Sequence, residues 1–221
     1  PFVLGGANAK DPRRVFYASD MTGLFQIYSG QLPRVRTEAE EVTARGSCNW
    51  PVLTRDGAQI MCSVMDTTGS YSVYRYDLKQ NEFSRITDGL RARWNPVDAN
   101  EFVYAKRTHE RWSIWRYTHE PHSNENLISS DSDVFDPVYS PDGTWIAYTS
   151  NETGNSDVFA LELSTGRKLR VTRNSSADCQ PEWSADGTQL FFSTNREGQW
   201  DICRFDVSSA LSANGGATAK K

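Results

Sequence analysis

Long apolar runs are missing from this 221-residue sequence, and none approaches the roughly 18 residues that a membrane-spanning helix needs. Cysteine is sparse too, since the four have no Cys-x-x-Cys spacing and are too few for a disulfide scaffold. Neither sign of charge dominates, because 24 basic and 28 acidic residues give a net charge of −4. Such a balance argues against a surface that follows nucleic-acid phosphates or a polybasic membrane patch. We therefore predict no nucleic-acid partner and no direct membrane insertion.

Recognisable catalytic motifs are also absent. The sequence has no Gly-x-Ser-x-Gly elbow, no His-Glu-x-x-His, no P-loop and no dinucleotide-binding glycine pattern. His119 and His122 belong to a Pro-containing segment whose irregular backbone does not aim two imidazoles at one point. The aspartates at 131, 133 and 136 lack the glycine and final Glu of an EF-hand loop. We predict a non-enzymatic protein with no catalytic residues, no metal and no cofactor.

What the sequence does contain is a repeat with a period close to 43 residues. The clearest copies are residues 136–150 and 180–194, whose Asp-Gly pairs are 44 residues apart. A third copy lies at 50–63 and a degraded fourth at 94–105. Self-similarity at this period is typical of architectures built from repeated structural units.

Each repeat has the pattern of four short strands. The first leads to Pro-Asp-Gly or its equivalent, where Asp bonds its own backbone and Gly supplies the positive φ of a turn. A second strand rich in β-branched and aromatic residues follows, and then another turn. The third strand recurs five times but the fourth only four times, at 41–43, 85–87, 126–128 and 170–172. Because no stretch shows a 3.6-residue apolar period, we predict an all-β β-propeller of four-stranded antiparallel blades.

The repeat resembles the PD40 repeat of WD40-like β-propellers, the family that includes the TolB C-terminal propeller. The shared features are Pro-x-Trp/Tyr-Ser-Pro/Ala-Asp-Gly, the apolar strand after it, and Asp-Ile/Val after the glycine turn. The resemblance is close over residues 133–206, good over 47–88 and loose over 12–45 and 91–132. It implies a protein-binding scaffold in the periplasm or cell envelope, with an envelope lipoprotein or a membrane-complex subunit as partner.

PD40 repeats also occur in tricorn-like proteases and in the propellers of prolyl-oligopeptidase-type enzymes. The resemblance therefore identifies an architecture more than a function. The alternative function is a ligand- or carbohydrate-binding propeller, or the gating propeller of a peptidase-type enzyme.

We predict one propeller domain over residues 1–207 and a flexible tail or linker, rich in Ala, Ser, Gly and Lys, at 208–221. Blade five stops after its third strand. The preferred hypothesis is that residues 2–4 complete it and close a five-bladed ring, since open sheet edges favour aggregation. The sequence also leaves open that residues 2–4 are the first strand of blade one, joined to its second strand by a long loop at 5–14. The alternative to a five-bladed ring is that the chain is part of a six-bladed or larger propeller. The predicted blades are approximately residues 2–46, 47–90, 91–132, 133–175 and 176–207.

The predicted partner-binding face consists of the loops between blades and the loops between second and third strands. Trp and Arg are favoured at the hot spots of protein interfaces. In blade three the loop has lost its glycine, which makes its arginines the best candidates. For Trp50 and Trp94, packing between blades is the alternative. The candidate residues are Trp50, Arg93, Trp94, Arg107, His109, Arg111, Phe135, Gln180, Arg196 and Trp200.

Overall fold

The computed structural model describes residues 2–7, 11, 13–20, 23–32, 40–43 and 47–208. Within this part of the chain, nineteen strands form five antiparallel sheets, which confirms the predicted all-β fold. The chain divides into two compact units, Pro1–Ala92 and Arg93–Lys221. Apart from Ser208, the predicted tail at 208–221 lies outside the described residues.

The first unit contains two four-stranded sheets, blades one and two, whose strands lie in chain order. A buried cluster of apolar residues in this unit includes Phe16, Ile27, Cys48 and Ile60. Blade one consists of β1 (Phe2–Ala7), β2 (Arg14–Ser19), β3 (Gln26–Gln31) and β4 (Glu40–Glu41), and blade two of β5 (Ser47–Leu53), β6 (Gln59–Met65), β7 (Tyr71–Asp77) and β8 (Glu82–Asp88).

Blades three, four and five follow, and the strands of each again lie in order along the sheet. Blade three consists of β9 (Leu90–Trp94), which begins in the first unit, β10 (Glu101–Thr108), β11 (Arg111–Thr118) and β12 (Ser123–Ile128). Blade four consists of β13 (Val134–Tyr139), β14 (Trp145–Ser150), β15 (Asp157–Glu162) and β16 (Lys168–Arg170). Blade five has three strands, β17 (Asp178–Trp183), β18 (Gln189–Thr194) and β19 (Asp201–Asp206). The limits of the blades along the chain stay a prediction.

Neighbouring blades of the second unit pack through equivalent apolar side chains. Ile114 of blade three lies in one cluster with Val134 and Tyr148 of blade four. Val158 of blade four lies in another with Trp183 and Leu190 of blade five. Ile114 and Val158 hold the same position in their third strands, and both are 0% exposed. Full burial of such a side chain stabilises the fold by about 1.5–3 kcal/mol.

Strand β1 corrects the predicted closure of the ring. Phe2 pairs with Ser19, and Leu4 with Tyr17, so residues 2–4 belong to the first strand of blade one and not to blade five. Pairing across a short connection costs less chain entropy than joining segments that are far apart in sequence, because closure entropy grows with loop length. Within the described residues, blade five therefore remains a three-stranded sheet.

The Asp-Gly turns between first and second strands need glycine in the left-handed region. Gly143, in the turn of blade four, has a φ of 72°. A Cβ at this position would lie only 2.6 Å from Cγ2 of Val97. Gly166, in the turn between β15 and β16, has the same φ but no atom within 4 Å of an added Cβ. A comparison of substitutions at these two glycines therefore distinguishes the effect of backbone strain from that of steric contact.

We expect Gly143→Ala to destabilise the protein more than Gly166→Ala. Both substitutions force alanine into the left-handed region, at a cost of about 1–2 kcal/mol, but only the first also displaces Val97. The midpoints of urea unfolding should fall in the order wild type, Gly166→Ala, Gly143→Ala. Equal midpoints for the two variants would contradict the close approach of Val97 to Gly143.

Asp186 caps the corresponding turn of blade five. Its carboxylate accepts hydrogen bonds from the hydroxyls of Ser184 (2.6 Å) and Thr188 (2.8 Å) and from the N–H of Thr188 (3.0 Å). The Ser184 hydroxyl, followed by the Thr188 donors, lowers the pKa of Asp186 to about 2. Since folding lowers this pKa, the carboxylate stabilises the fold above its ordinary pKa of 3.8 and loses that effect as the pH falls toward 2.

We expect the free energy of unfolding to fall less steeply between about pH 4 and pH 2 in Asp186→Asn than in the wild type, because the amide does not titrate. Urea unfolding at a series of pH values measures both slopes. Ser184→Ala, which removes the first donor, should give an intermediate slope. Parallel curves for all three proteins would show that the turn does not hold the carboxylate in its charged form.

Candidate protein-binding surface

An arginine lies over an aromatic pair in the first unit. The Cζ of Arg91 is 4.7 Å from the centre of the Trp50 ring, and the centres of the Trp50 and Tyr71 rings are 5.6 Å apart. All three residues are half-buried. We call Trp50, Tyr71 and Arg91 the blade-two patch. A cation on an aromatic face, with both partly open to solvent, is a composition enriched at interface hot spots.

The backbone conformation of this patch recurs at equivalent positions of the repeat. Trp50 and Arg91 have φ values of 50° and 55°, and the equivalent Gln180 of blade five has a φ of 55°. The N–H of Arg91 donates to Oγ of Ser63 (2.9 Å), and that of Gln180 to Oγ1 of Thr149 (3.1 Å). A hydroxyl in one second strand therefore anchors the first strand of the next blade. The irregular register that accompanies this position in blades two, four and five is that of a β-bulge, which re-aims side chains.

In blade three, a tight hairpin joins the second and third strands, whereas the other blades have a turn that contains glycine at this place. Strands β10 and β11 pair as far as Thr108 and Arg111, which leaves His109 and Glu110 as a two-residue turn. Their φ values are 50° and 70°, so both residues are left-handed, although Asn-Gly is the pair that favours such a turn. Arg107, His109 and Arg111 are exposed. We call residues 107–111 the blade-three hairpin.

The two-residue turn requires both left-handed conformations, and filling it with residues other than glycine costs energy, which is a pointer to function. The hairpin is tied to the adjoining loop by the N–H of Trp112, which donates to Oδ1 of Asp133 (2.9 Å). This hydrogen bond anchors the start of β11, where Arg111 lies, to the loop before β13. The loss of the glycine, visible in the sequence, is explained by a shorter turn.

Arg196 has a structural contact. Its Nη2 lies 2.7 Å from Oδ2 of Asp178, whose side chain is 0% exposed, and its Cζ is 5.6 Å from the centre of the Phe192 ring. A buried carboxylate without its cation would be strongly destabilising. The guanidinium group of Arg196 therefore serves mainly to pair with Asp178 within blade five.

Arg93 and Trp94 are not brought to the blade-three hairpin. The N–H of Asn95 donates to the carbonyl of Glu101 (2.9 Å), so Trp94 lies near the start of β10, whereas the hairpin follows its end. The Trp94 ring packs against Phe102 and His119 at centroid distances of 5.7 and 6.3 Å. Arg93 lies 3.7 Å from the carboxylate of Glu182. These contacts of Trp94 lie within blade three, so its packing between blades and its place in a binding surface both stay predictions.

The remaining candidates differ in exposure. Phe135 is half-buried, Gln180 is exposed and accepts a hydrogen bond from the Ser193 hydroxyl (3.3 Å), and Trp200 is 60% exposed. Tyr71 was not among the candidates, although its place opposite Met65 at the start of β7 puts it beside the loop between second and third strands. Within the described ranges, no helix is long and apolar enough to cross a membrane, and no three His, Cys, Asp or Glu side chains are grouped to hold a metal ion.

Comparisons with known sequences show which proteins have similar repeats. The model of the PD40 family, described as the TolB beta propeller domain, matches residues 90–217, more than half of the chain. The Tol-Pal system protein TolB of Nitrosococcus oceani is 42% identical over 53 residues, which cover 24% of this chain and 12% of that protein. TolB of a Polaromonas species is 25% identical over 102 residues, 45% of this chain and 24% of that protein. The matches thus span a quarter or less of these relatives.

Solved structures confirm the β-propeller fold. TolB from Acinetobacter baumannii superposes with a TM-score of 0.81 at 22% identity, over 93% of this chain and 52% of that chain. An oligogalacturonate lyase from Vibrio parahaemolyticus superposes with a TM-score of 0.66 at 13% identity, over 93% and 63%. At these identities the likeness shows the fold alone, and this chain spans about half of the TolB structure.

We expect the double variant His109→Asn, Glu110→Gly to be more stable than the wild type by about 1–2 kcal/mol, since Asn and Gly occupy left-handed positions at less cost than His and Glu. Urea unfolding measures the gain. Glu197→Gly, in a turn that already contains Gly198, is the control and should bring no gain. An unchanged midpoint for the double variant would mean that the hairpin turn is not strained.

Proposed function

Because the chain belongs to the PD40 family of TolB β-propeller domains, we propose that it is a non-enzymatic scaffold that binds a protein of the bacterial cell envelope. Its relatives include Tol-Pal system proteins. By this likeness the periplasm is the proposed location, and an envelope lipoprotein or a membrane-complex subunit is the proposed partner.

The blade-three hairpin is the observation that carries the proposal. Arg107 and Arg111 are exposed, and neither forms an ion pair with any residue that the structure describes. Exposed guanidinium groups bind carboxylates in a bidentate manner, and a rigid hairpin limits the entropy lost on binding. The partner surface that fits this hairpin is therefore acidic.

The blade-two patch supports the same function from the other unit. Arg91 already lies on the Trp50 ring, so a partner that buries the pair gains aromatic area without ordering a flexible side chain. Aromatic contact area and a charged hairpin are complementary features of protein-binding surfaces. We propose each as a separate contact region.

No contact among the described residues favours the alternative of a carbohydrate-binding or peptidase-gating propeller. The likeness to the oligogalacturonate lyase is one of fold. Calorimetric titration with oligosaccharides and with divalent metal salts separates the two functions, because the scaffold predicts no heat from either.

We expect Arg107→Glu and Arg111→Glu each to weaken partner binding by about tenfold or more, because a hydrogen bond to a charged group contributes about 1.5–3 kcal/mol. Tagged protein is used to capture partners from envelope extract, and the captured protein is then purified and titrated. Lys79→Glu, an equal charge reversal at an exposed turn after β7, is the matched control and should bind like the wild type. Equal affinities for all four proteins would overturn the role of the hairpin.

A further inference from the structure

Two of the four cysteines lie side by side in blade two. Cys48 of β5 pairs with Val64 of β6, and Cys62 lies two residues before Val64 on the same strand. Residues two apart in a strand point to the same face of a sheet, so Cys48 and Cys62 are diagonal neighbours on one face. Both belong to the buried apolar cluster of the first unit and are 0% and 2% exposed. The register of the two strands therefore brings two thiols together inside the blade.

The two thiol groups are in contact. The S–H of Cys62 donates a hydrogen bond to Sγ of Cys48, and this bond is the main reason that the pKa of Cys48 is lowered from its ordinary value. The same hydrogen bond, together with burial, raises the pKa of Cys62. In the assembled blade Cys48 is thus the thiol that loses its proton more readily, and the thiolate is the form that reacts with disulfides.

Cys179 and Cys203 of blade five have no such relation. Cys179 pairs with Ser193, and Ser193 in turn pairs with Ile202. These three side chains point to one face of the sheet, whereas Cys203 points to the other. Strand β18 also lies between the two cysteines. Within a single blade, the pair in blade two is therefore the one that is placed to form a bond.

We propose that Cys48 and Cys62 form a disulfide site, at which the chain is oxidised by thiol–disulfide exchange with a protein or small molecule that carries a reactive disulfide. The Cys48 thiolate attacks one sulfur of the oxidant and displaces the other, which leaves a mixed disulfide. The sulfur of Cys62, after losing its proton, attacks Sγ of Cys48, breaks the mixed disulfide and forms the Cys48–Cys62 bond. The two protons lost by the chain end on the two sulfur atoms that the oxidant releases, so two protein thiols are oxidised and one disulfide is reduced.

Burial decides when this exchange takes place. An oxidant does not reach thiols that are 0% and 2% exposed in the folded blade. The exchange therefore occurs while β5 and β6 come together during folding, or when these strands open locally. Disulfides persist in oxidising compartments. The presence of the bond in the cell thus rests on the proposed periplasmic location, whereas the chemistry of the site goes beyond the proposed function and does not depend on it.

The bond joins two strands that support the blade-two patch. Trp50 lies two residues after Cys48, at the bulge of β5. Ser63, the residue after Cys62, accepts the N–H of Arg91 on its Oγ (2.9 Å). A cross-link at this point opposes local opening of the backbone that holds both patch residues. It also closes a loop of 15 residues, which removes conformations from the unfolded chain.

Refolding of the full chain tests the proposal. The chain is unfolded in urea with a reductant and refolded in a mixture of reduced and oxidised glutathione. The remaining thiols are then alkylated, and the protein is digested for mass spectrometry. We expect a pair of peptides joined through Cys48 and Cys62, with Cys179 and Cys203 alkylated. Refolding in reductant alone should give four alkylated cysteines.

Urea unfolding measures the effect of the bond. The equilibrium constant for unfolding should be about a hundredfold smaller in the oxidised protein than in the reduced one, as expected for a closed loop of this length. Cys48→Val is the matched variant, because Val134 holds the equivalent position in blade four, and the oxidant should leave its stability unchanged. The double variant Cys179→Ser, Cys203→Ser should keep both the link and the stabilisation.

Three results would overturn the proposal. The first is oxidatively refolded protein without the Cys48–Cys62 link, and the second is a link that forms as often with Cys179 or Cys203. The third is an oxidised protein that unfolds at a lower urea concentration than the reduced one, because the bond would then conflict with the native contact of the two thiols. None of these results bears on partner binding by the blade-three hairpin, whose residues the variants leave intact.

Discussion

The structure depends on the burial of one apolar side chain in the third strand of each of blades one to four. Ile27, Val73, Ile114 and Val158 are all 0% exposed, and the strands on either side of them supply the hydrogen bonds of the sheet. In the second unit the same side chains also contact the next blade, so one residue joins the order within a sheet to the packing between sheets. Few positions have this double role, so a sequence with a low overall content of apolar residues can still form the core. Ile202, which no described strand covers, is 77% exposed.

The sequence predicted the strands well because each is encoded by its own neighbours. Five third strands and four fourth strands are recognisable from local patterns, and the structure contains the same numbers among its described residues. The degraded glycine turn of blade three was visible for the same reason. What the pattern did not reveal was that a shorter hairpin, with His109 and Glu110 in left-handed conformations, replaces that turn.

Pairing between distant segments was harder to predict. Residues 2–4 look like a strand in any reading, but only the register with β2 assigns them to blade one. The position of Trp94 was hard to predict for a different reason. Strand direction decides which end of β9 a residue occupies, and Trp94 lies at the end that meets Phe102 and His119. Tyr71 enters the blade-two patch through cross-strand neighbours that no local motif records. Sequence patterns thus identified the strands, whereas the residues that lie together on the surface became known only from the geometry of the structure.

Blade three combines an altered hairpin between its second and third strands with an altered joint to blade four. Its residue equivalent to Ser63 and Thr149 is Ala105, which has no hydroxyl to anchor the following first strand. Instead, the Tyr139 hydroxyl of blade four donates to Oε1 of Glu101 (2.6 Å), and Arg116 lies 3.5 Å from the same carboxylate. Burial, with the Glu101 carboxylate, raises the pKa of Tyr139, so the phenol stays protonated and keeps donating at physiological pH. The joint is therefore maintained by side chains at the far end of β10 from the hairpin, which leaves residues 107–111 free to diverge without loosening the two blades.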